Sequence, residues 1–82
     1  MKIYSIKDLA SETFLRPFCM PTDRDAIEGF RHVCNEDDTQ YSKHPQDFNL
    51  VNIGSFDERT GILTLPPTQI TTARAVDLKE VK

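Results

Sequence analysis

Several absences narrow the class of this chain before any motif is read. No apolar run approaches the roughly 20 residues that a membrane-spanning helix needs. The start, MKIYSIKD, has no apolar core ahead of a small-residue cleavage site, so no secretory signal is expected. The glycines Gly29, Gly54 and Gly61 stand singly, and no phosphate-cradling loop can be built from them. A basic excess is also missing. The formal net charge is −3, whereas a protein relying on a broad phosphate-neutralising surface is usually basic. Any nucleic-acid site must therefore be a local patch. Internal repeats and low-complexity tracts are absent. Cys19 and Cys34 could pair only in an oxidising compartment, and the expectation is two reduced, packed thiols.

With 82 residues the chain has room for one hydrophobic core. A domain of this size buries about 60–65% of its unfolded surface, which makes help from self-association reasonable. Charge is unevenly spread. Residues 23–38 carry Asp23, Asp25, Glu28, Glu36, Asp37 and Asp38 against Arg24 and Arg31, while the remainder is close to balanced.

Strand and turn chemistry are clearest in the second half. Phe48 to Phe56 (FNLVNIGSF) is rich in aromatic and β-branched residues, which suit a pleated, partly buried surface. Asp57 to Gly61 follows as a turn in which the Asp side chain accepts from amides ahead and Gly61 supplies a positive φ. Ile62 to Leu65 returns as the second strand. Near the N-terminus, Met1 to Lys7 reads as a strand, Asp8 to Thr13 as a loop, and Phe14 to Met20 as a strand that lies at an edge or carries a bulge, because Pro17 cannot donate to a ladder. Strict alternation along this segment puts Phe14, Arg16, Phe18 and Met20 on one face.

Between the two strand pairs lies a helix. Thr22-Asp23-Arg24-Asp25 resembles a capping box, and Ala26, Ile27, Phe30, Val33 and Cys34 form one apolar stripe at helical period. Gly29 in the helix interior costs about 1 kcal/mol relative to Ala. The helix is expected to stop at Asn35, before the acidic run Glu36-Asp37-Asp38. Thr39 to Asp47 reads as a polar connection, and the residues after Pro66-Pro67 as a loop with one helical turn near Thr72–Val76. The expected fold is α+β: a small antiparallel sheet in β-β-α-β-β order with one amphipathic helix on one face. Residues 1–67 form the domain, and 68–82 a partly ordered or flexible C-terminal tail. Four strands under one helix leave a second face and two edges to cover, so a homodimer or higher oligomer is expected.

Catalytic and metal chemistry find little support. Cys19, His32, Cys34 and His44 are the right ligand types, but the spacing C-x12-H-x-C-x9-H matches no zinc pattern, and positions 32 and 34 of a helix do not face each other. The Asp57–Gly61 turn is too short for a calcium loop. No nucleophile-base signature is present, so no enzyme activity, cofactor or metal is expected. One pattern favours binding: Lys2, Tyr4 and Lys7 with Phe14, Arg16 and Phe18 interleave cations and rings, as single-strand binders do. The bland alternative is that Phe14 and Phe18 are core and the cations solvate an edge.

MKIYSIKD, RPFCMP, the helix with AIEGF, and KHPQDFNLVNIGSFDERTG together resemble the small non-structural protein of gokushoviruses (Microviridae), tailless bacteriophages with single-stranded DNA genomes. The likeness runs from Met1 to about Leu65 and is most specific in K-H-P-x-D-F-x-L-x-x-I-G-x-F-D and K-I-Y-S-I. It implies a protein made in the host bacterial cytoplasm and absent from the virion, acting in single-stranded DNA synthesis or its hand-over to packaging. No catalytic residues come with it. Two functions follow as expectations. In one, single-stranded DNA binds Lys2, Tyr4, Lys7, Arg16 and Lys43. In the other, an adaptor docks on a phage replication or capsid protein, or on a host protein, through Asp23, Asp25 and Glu28 or a sheet edge. Neither involves a membrane.

Overall fold

Two strands form the spine. The computed structural model describes residues 1–80. In it, β1 (Lys2–Asp8) and the nine-residue β4 (Phe48–Phe56) pair antiparallel from Lys2↔Ser55 to Asp8↔Phe48. The register shifts between Ile3 and Tyr4, where Ile53 is accommodated as an extra residue in β4. On the outer side of β1 run two short strands, β2 (Thr13–Phe14) and β3 (Phe18–Met20). On the outer side of β4 run β5 (Leu63–Thr64) and β6 (Ile70–Arg74). The six strands therefore make an open antiparallel sheet of four rows, each edge row broken once near proline: at Pro17 on one side and at Pro66-Pro67 on the other.

The helix α1 (Asp23–Asn35) lies on one face of this sheet and begins as expected, with the Thr22 hydroxyl accepting from the Asp25 amide at 3.2 Å. Its buried stripe is Ala26, Phe30 and Cys34, with Ile27 and Val33 partly covered. Against it the sheet presents Tyr4, Ile6, Phe18, Phe48, Leu50 and Ala73. The hairpin turn also forms through its expected chemistry. The Asp57 carboxylate accepts from the amides of Arg59 (2.9 Å) and Thr60 (3.3 Å), and Gly61 sits at φ +75°.

Two segments differ from the expectation. Thr39 to Asp47 is not simply a polar connection. Thr39 caps a four-residue helix, α2 (Gln40–Lys43), and a single 3₁₀ turn follows at Pro45–Asp47. Helix α2 sets Tyr41 edge-on to both Phe30 and Phe48, with ring centroids 5.9 and 4.9 Å away, so this aromatic seals one end of the core. The larger difference is after Pro67, where the expectation is a loop with one helical turn near Thr72–Val76; a helical turn does form, slightly later, but a strand precedes it. Ile70–Arg74 is a strand whose β-branched residues pair with Asn49–Asn52 of β4, and α3 (Ala75–Leu78) follows. Ala75 is fully buried. The Asn35 side chain fastens this segment to the end of α1, donating to the Leu78 carbonyl at 3.0 Å and accepting from the Glu80 amide at 2.7 Å. Residues 81 and 82, the end of the expected tail, lie outside the described residues.

A polar clamp ties β1 to the start of α1. The buried Tyr4 hydroxyl donates to Asp23 Oδ1, and Lys2 Nζ stands 3.3 Å from the same oxygen. Donation from Tyr4, with help from Lys2, holds the Asp23 carboxyl below its ordinary value, while burial and the Asp23 contact push the Tyr4 phenol up. A carboxyl lowered on folding contributes stability that is fully present above its unfolded value, 3.8, and is lost as pH falls through the lower folded one. Asp23→Asn should therefore melt at a lower temperature than the wild type at pH 7, with the gap closing as pH falls below 3.8. A gap that stays constant down to pH 2 would show that the charge contributes nothing. The core makes a second prediction. Phe30→Ala should cost about 3–5 kcal/mol, whereas Arg31→Ala, which removes only an exposed pair with Glu28, should cost no more than about 0.5 kcal/mol. Equal losses in urea melts would contradict the orientation of α1.

Candidate nucleic-acid interface

The residues singled out from the sequence do not gather in one place. Tyr4 is fully buried on the helix side of the sheet, stacked on Phe18 with centroids 5.9 Å apart, and cannot offer its ring to a base. Its assignment as a contact is corrected by that burial. Lys2 lies on the same side as Tyr4 and is engaged with Asp23. Lys43 ends α2 with its Nζ 3.8 Å from Asp38, in a separate part of the molecule from β1. Lys7 is half-buried and Arg16 is exposed on the bulged link between β2 and β3.

What separates these side chains is the parity of the strands. Directly paired residues share a face, and neighbours along a strand alternate. Ile6, Phe48, Leu50 and Ala73 pack towards α1, so Lys7, Asn49 and Arg74, their chain neighbours, point away from it. The register then lines up four residues across the sheet: Phe14 opposite Lys7, Lys7 opposite Asn49, and Asn49 opposite Arg74. This row spans about 14 Å, three inter-strand spacings. Lys7 Nζ stands 5.6 Å from the Phe14 ring centroid, within reach of a cation–π contact. Arg74 makes a two-point contact with Asp77 at 2.9 and 3.1 Å, which raises its already high pKa.

Alternation misleads at Pro17. Phe14 and Phe18 are four residues apart and would share a face in an unbroken strand. The link from Leu15 to Pro17 absorbs one extra residue, so that Phe14 pairs with Lys7 and Phe18 with Tyr4, on opposite faces. Two contacts hold the link down: the Leu15 amide donates to the Ile6 carbonyl at 2.8 Å, and the Ser5 hydroxyl to the Leu15 carbonyl at 2.6 Å. Phe18 is thus core, and Phe14, 42% exposed, is a surface ring. Sequence reasoning misses Arg74, because the pattern predicts one helical turn near Thr72–Val76, within a loop, where the structure has the end of a strand. The signal was present in the β-branched run Ile70-Thr71-Thr72 before it.

Asp77 is at the row, on Arg74, but the acids of residues 25–38 lie elsewhere. Asp25, Glu28, Glu36, Asp37 and Asp38 are all exposed on or just after α1, which covers the face opposite the row. The sheet therefore separates an acidic helical layer from a face carrying Lys7, the Asp77-paired Arg74 and the exposed ring of Phe14. Burial pushes the Cys34 thiol, on the covered face of α1, up to about 11, which leaves it protonated, and Cys19 is a free thiol on the exposed edge. No three residues of His, Cys, Asp or Glu cluster in metal-binding geometry among the described residues. Nor is any described helix long and apolar enough to cross a membrane.

Comparison with known proteins finds no match to a curated protein and none to a solved structure. Residues 1–77 do match one family, described as Phage ORF5 protein, and the match spans both β1 and β6 and so the whole sheet. The chain belongs to the Phage ORF5 protein family and is a phage protein.

Proposed function

We propose that this protein binds single-stranded DNA on the open face of its sheet, as a non-structural phage protein acting in genome replication. The observation that carries the reading is the row Phe14–Lys7–Asn49–Arg74, on the face turned away from the acidic helix. Single-strand binders combine rings that stack bases with cations that follow the phosphates, and they need little sequence information to do so. Here Phe14 stacks a base, Lys7 and Arg74 take phosphates, and Arg16 at the adjoining edge extends the track. Asn49, between the two cations, can hydrogen-bond a base edge or a sugar. Partial segregation of charge supports this reading despite a net charge of −3: the acids of residues 25–38 sit behind the sheet, and Asp77, the acid that touches the row, is paired with Arg74. The resemblance in KIYSI and KHPQDF to gokushoviruses supports a role in single-stranded DNA synthesis or its hand-over to packaging, in the host cytoplasm. No catalysis, metal or cofactor enters this proposal.

A second reading, an adaptor that docks on a replication, capsid or host protein, is favoured by one observation. Asp25 and Glu28 are exposed on α1, and among the described residues Glu28 pairs with Arg31 at 2.9 Å while Asp25 makes no ion pair.

A fluorescence titration with single- and double-stranded oligonucleotides at several salt concentrations tests the first reading. Three phosphate contacts give a log–log salt slope of about −2 for single strands, and Lys7→Ala should lower its magnitude by about 0.7. Phe14→Ala should weaken binding by about 1–3 kcal/mol and leave the slope unchanged. Tyr4→Phe, a change beneath the opposite face, should leave DNA affinity as it is. No binding by the folded wild type at low salt would transfer the assignment to the adaptor.

A further inference from the structure

Arg74 closes the open-face row at the β6 edge, and its guanidinium is already engaged. Nε and Nη2 donate to the two carboxylate oxygens of Asp77 at 2.9 and 3.1 Å. Among the described residues this is the ion pair that engages a cation of the row; the others form at Asp23, Glu28 and Asp38. The contact is a fork of two N–H···O bonds, and a guanidinium grips a phosphate in the same form. Asp77 thus occupies an edge of Arg74 that a backbone phosphate can take.

The fold keeps both partners in place. Arg74 is held in the ladder of β6, opposite Asn49. Asp77 lies on α3, which begins at the fully buried Ala75. Beyond Asp77, the Asn35 side chain grips the Leu78 carbonyl and the Glu80 amide. With its backbone anchored on both sides, Asp77 stays near Arg74 when a strand arrives. An incoming phosphate either displaces the carboxylate or takes the Nη1 end of the guanidinium, which has no partner among the described residues. In both cases it meets a negative charge at the cation it needs. Both side chains are more than half exposed, so the pair is weak enough to open.

We propose that Asp77 is an internal competitor for DNA phosphate at Arg74, which lowers the affinity of the row for single strands and eases their release. This regulation rests on the nucleic-acid reading of the open face. It acts through one cation: Lys7 and Arg16 keep their grip, and Arg74 exchanges a carboxylate for a phosphate as the strand comes and goes.

A double-mutant cycle on Arg74 and Asp77 tests it, read by fluorescence titration with a single-stranded oligonucleotide at low salt. Circular dichroism confirms that each variant is folded, and Asp77→Ser replaces Asp77→Asn in the cycle if the latter is not. Asp77→Asn should bind about two- to fivefold more tightly than the wild type, the range that opening an exposed ion pair allows. In an Arg74→Ala background, where Lys7, Arg16 and Phe14 still bind, the same substitution should lose most of that gain. Equal gains in both backgrounds would mean that Asp77 repels DNA at a distance and not through Arg74, and would overturn the proposal. Wild-type binding with no gain in Asp77→Asn also overturns it, and leaves the nucleic-acid reading standing. Absence of binding by both proteins removes that reading and this proposal together.

Discussion

Every other part of this molecule hangs on the antiparallel pairing of β1 with β4. Each remaining strand is attached to one of these two, and α1 covers the apolar face that they present together. The pairing joins residues forty or more positions apart, Lys2 with Ser55 and Asp8 with Phe48. Contacts so distant in sequence carry a large loop-closure entropy, which the burial of Tyr4, Leu50 and Phe48 must outweigh. Helix α1 and its cap shorten that loop by folding locally. The Tyr4–Asp23–Lys2 clamp then binds the two ends of the problem, strand and helix, through one carboxylate.

Proline shapes both edges of the sheet. Pro17 interrupts one edge and Pro66-Pro67 the other, and each break splits what would be a long, aggregation-prone strand into two short ones. The Pro17 break has the further effect of turning Phe14 onto the open face while Phe18 stays in the core. One extra residue in a link thus converts a pair of apparently equivalent phenylalanines into one core ring and one surface ring.

The acidic net charge ceases to be an objection to nucleic-acid binding once the layers are separated. Asp25, Glu28 and the 36–38 run ride on the helix layer, and Lys7 and Arg74 stand on the other side of the sheet. At an ionic strength of 0.15 M, exposed charges further apart than about 8 Å are largely screened from each other. A molecule with extents of 44 × 24 × 17 Å can therefore carry two faces of opposite character.

Sequence alone determined the features whose causes are local. The helix from Asp23 to Asn35 was legible because its cap, its apolar period and its stop all act within one or two turns. The 57–61 turn was legible because Asp57 and Gly61 supply a side-chain acceptor and a positive φ within five residues. With the N-terminal strand pair these gave a β-β-α-β-β frame, to which the structure adds the break at Pro17, the strand Ile70–Arg74 and the short helices α2 and α3. Only the tertiary structure decided what depends on a partner far along the chain. Tyr4 could be read as a base-stacking ring because nothing near it in sequence announces that Asp23 accepts its hydroxyl under a helix. Ile70–Arg74 became a strand because β4 had a free edge beside it, and weak local preference yields to an available ladder. Arg74 and Phe14 share a row with Lys7 through the registers of four strands, and register is a property of pairs of strands rather than of any one segment.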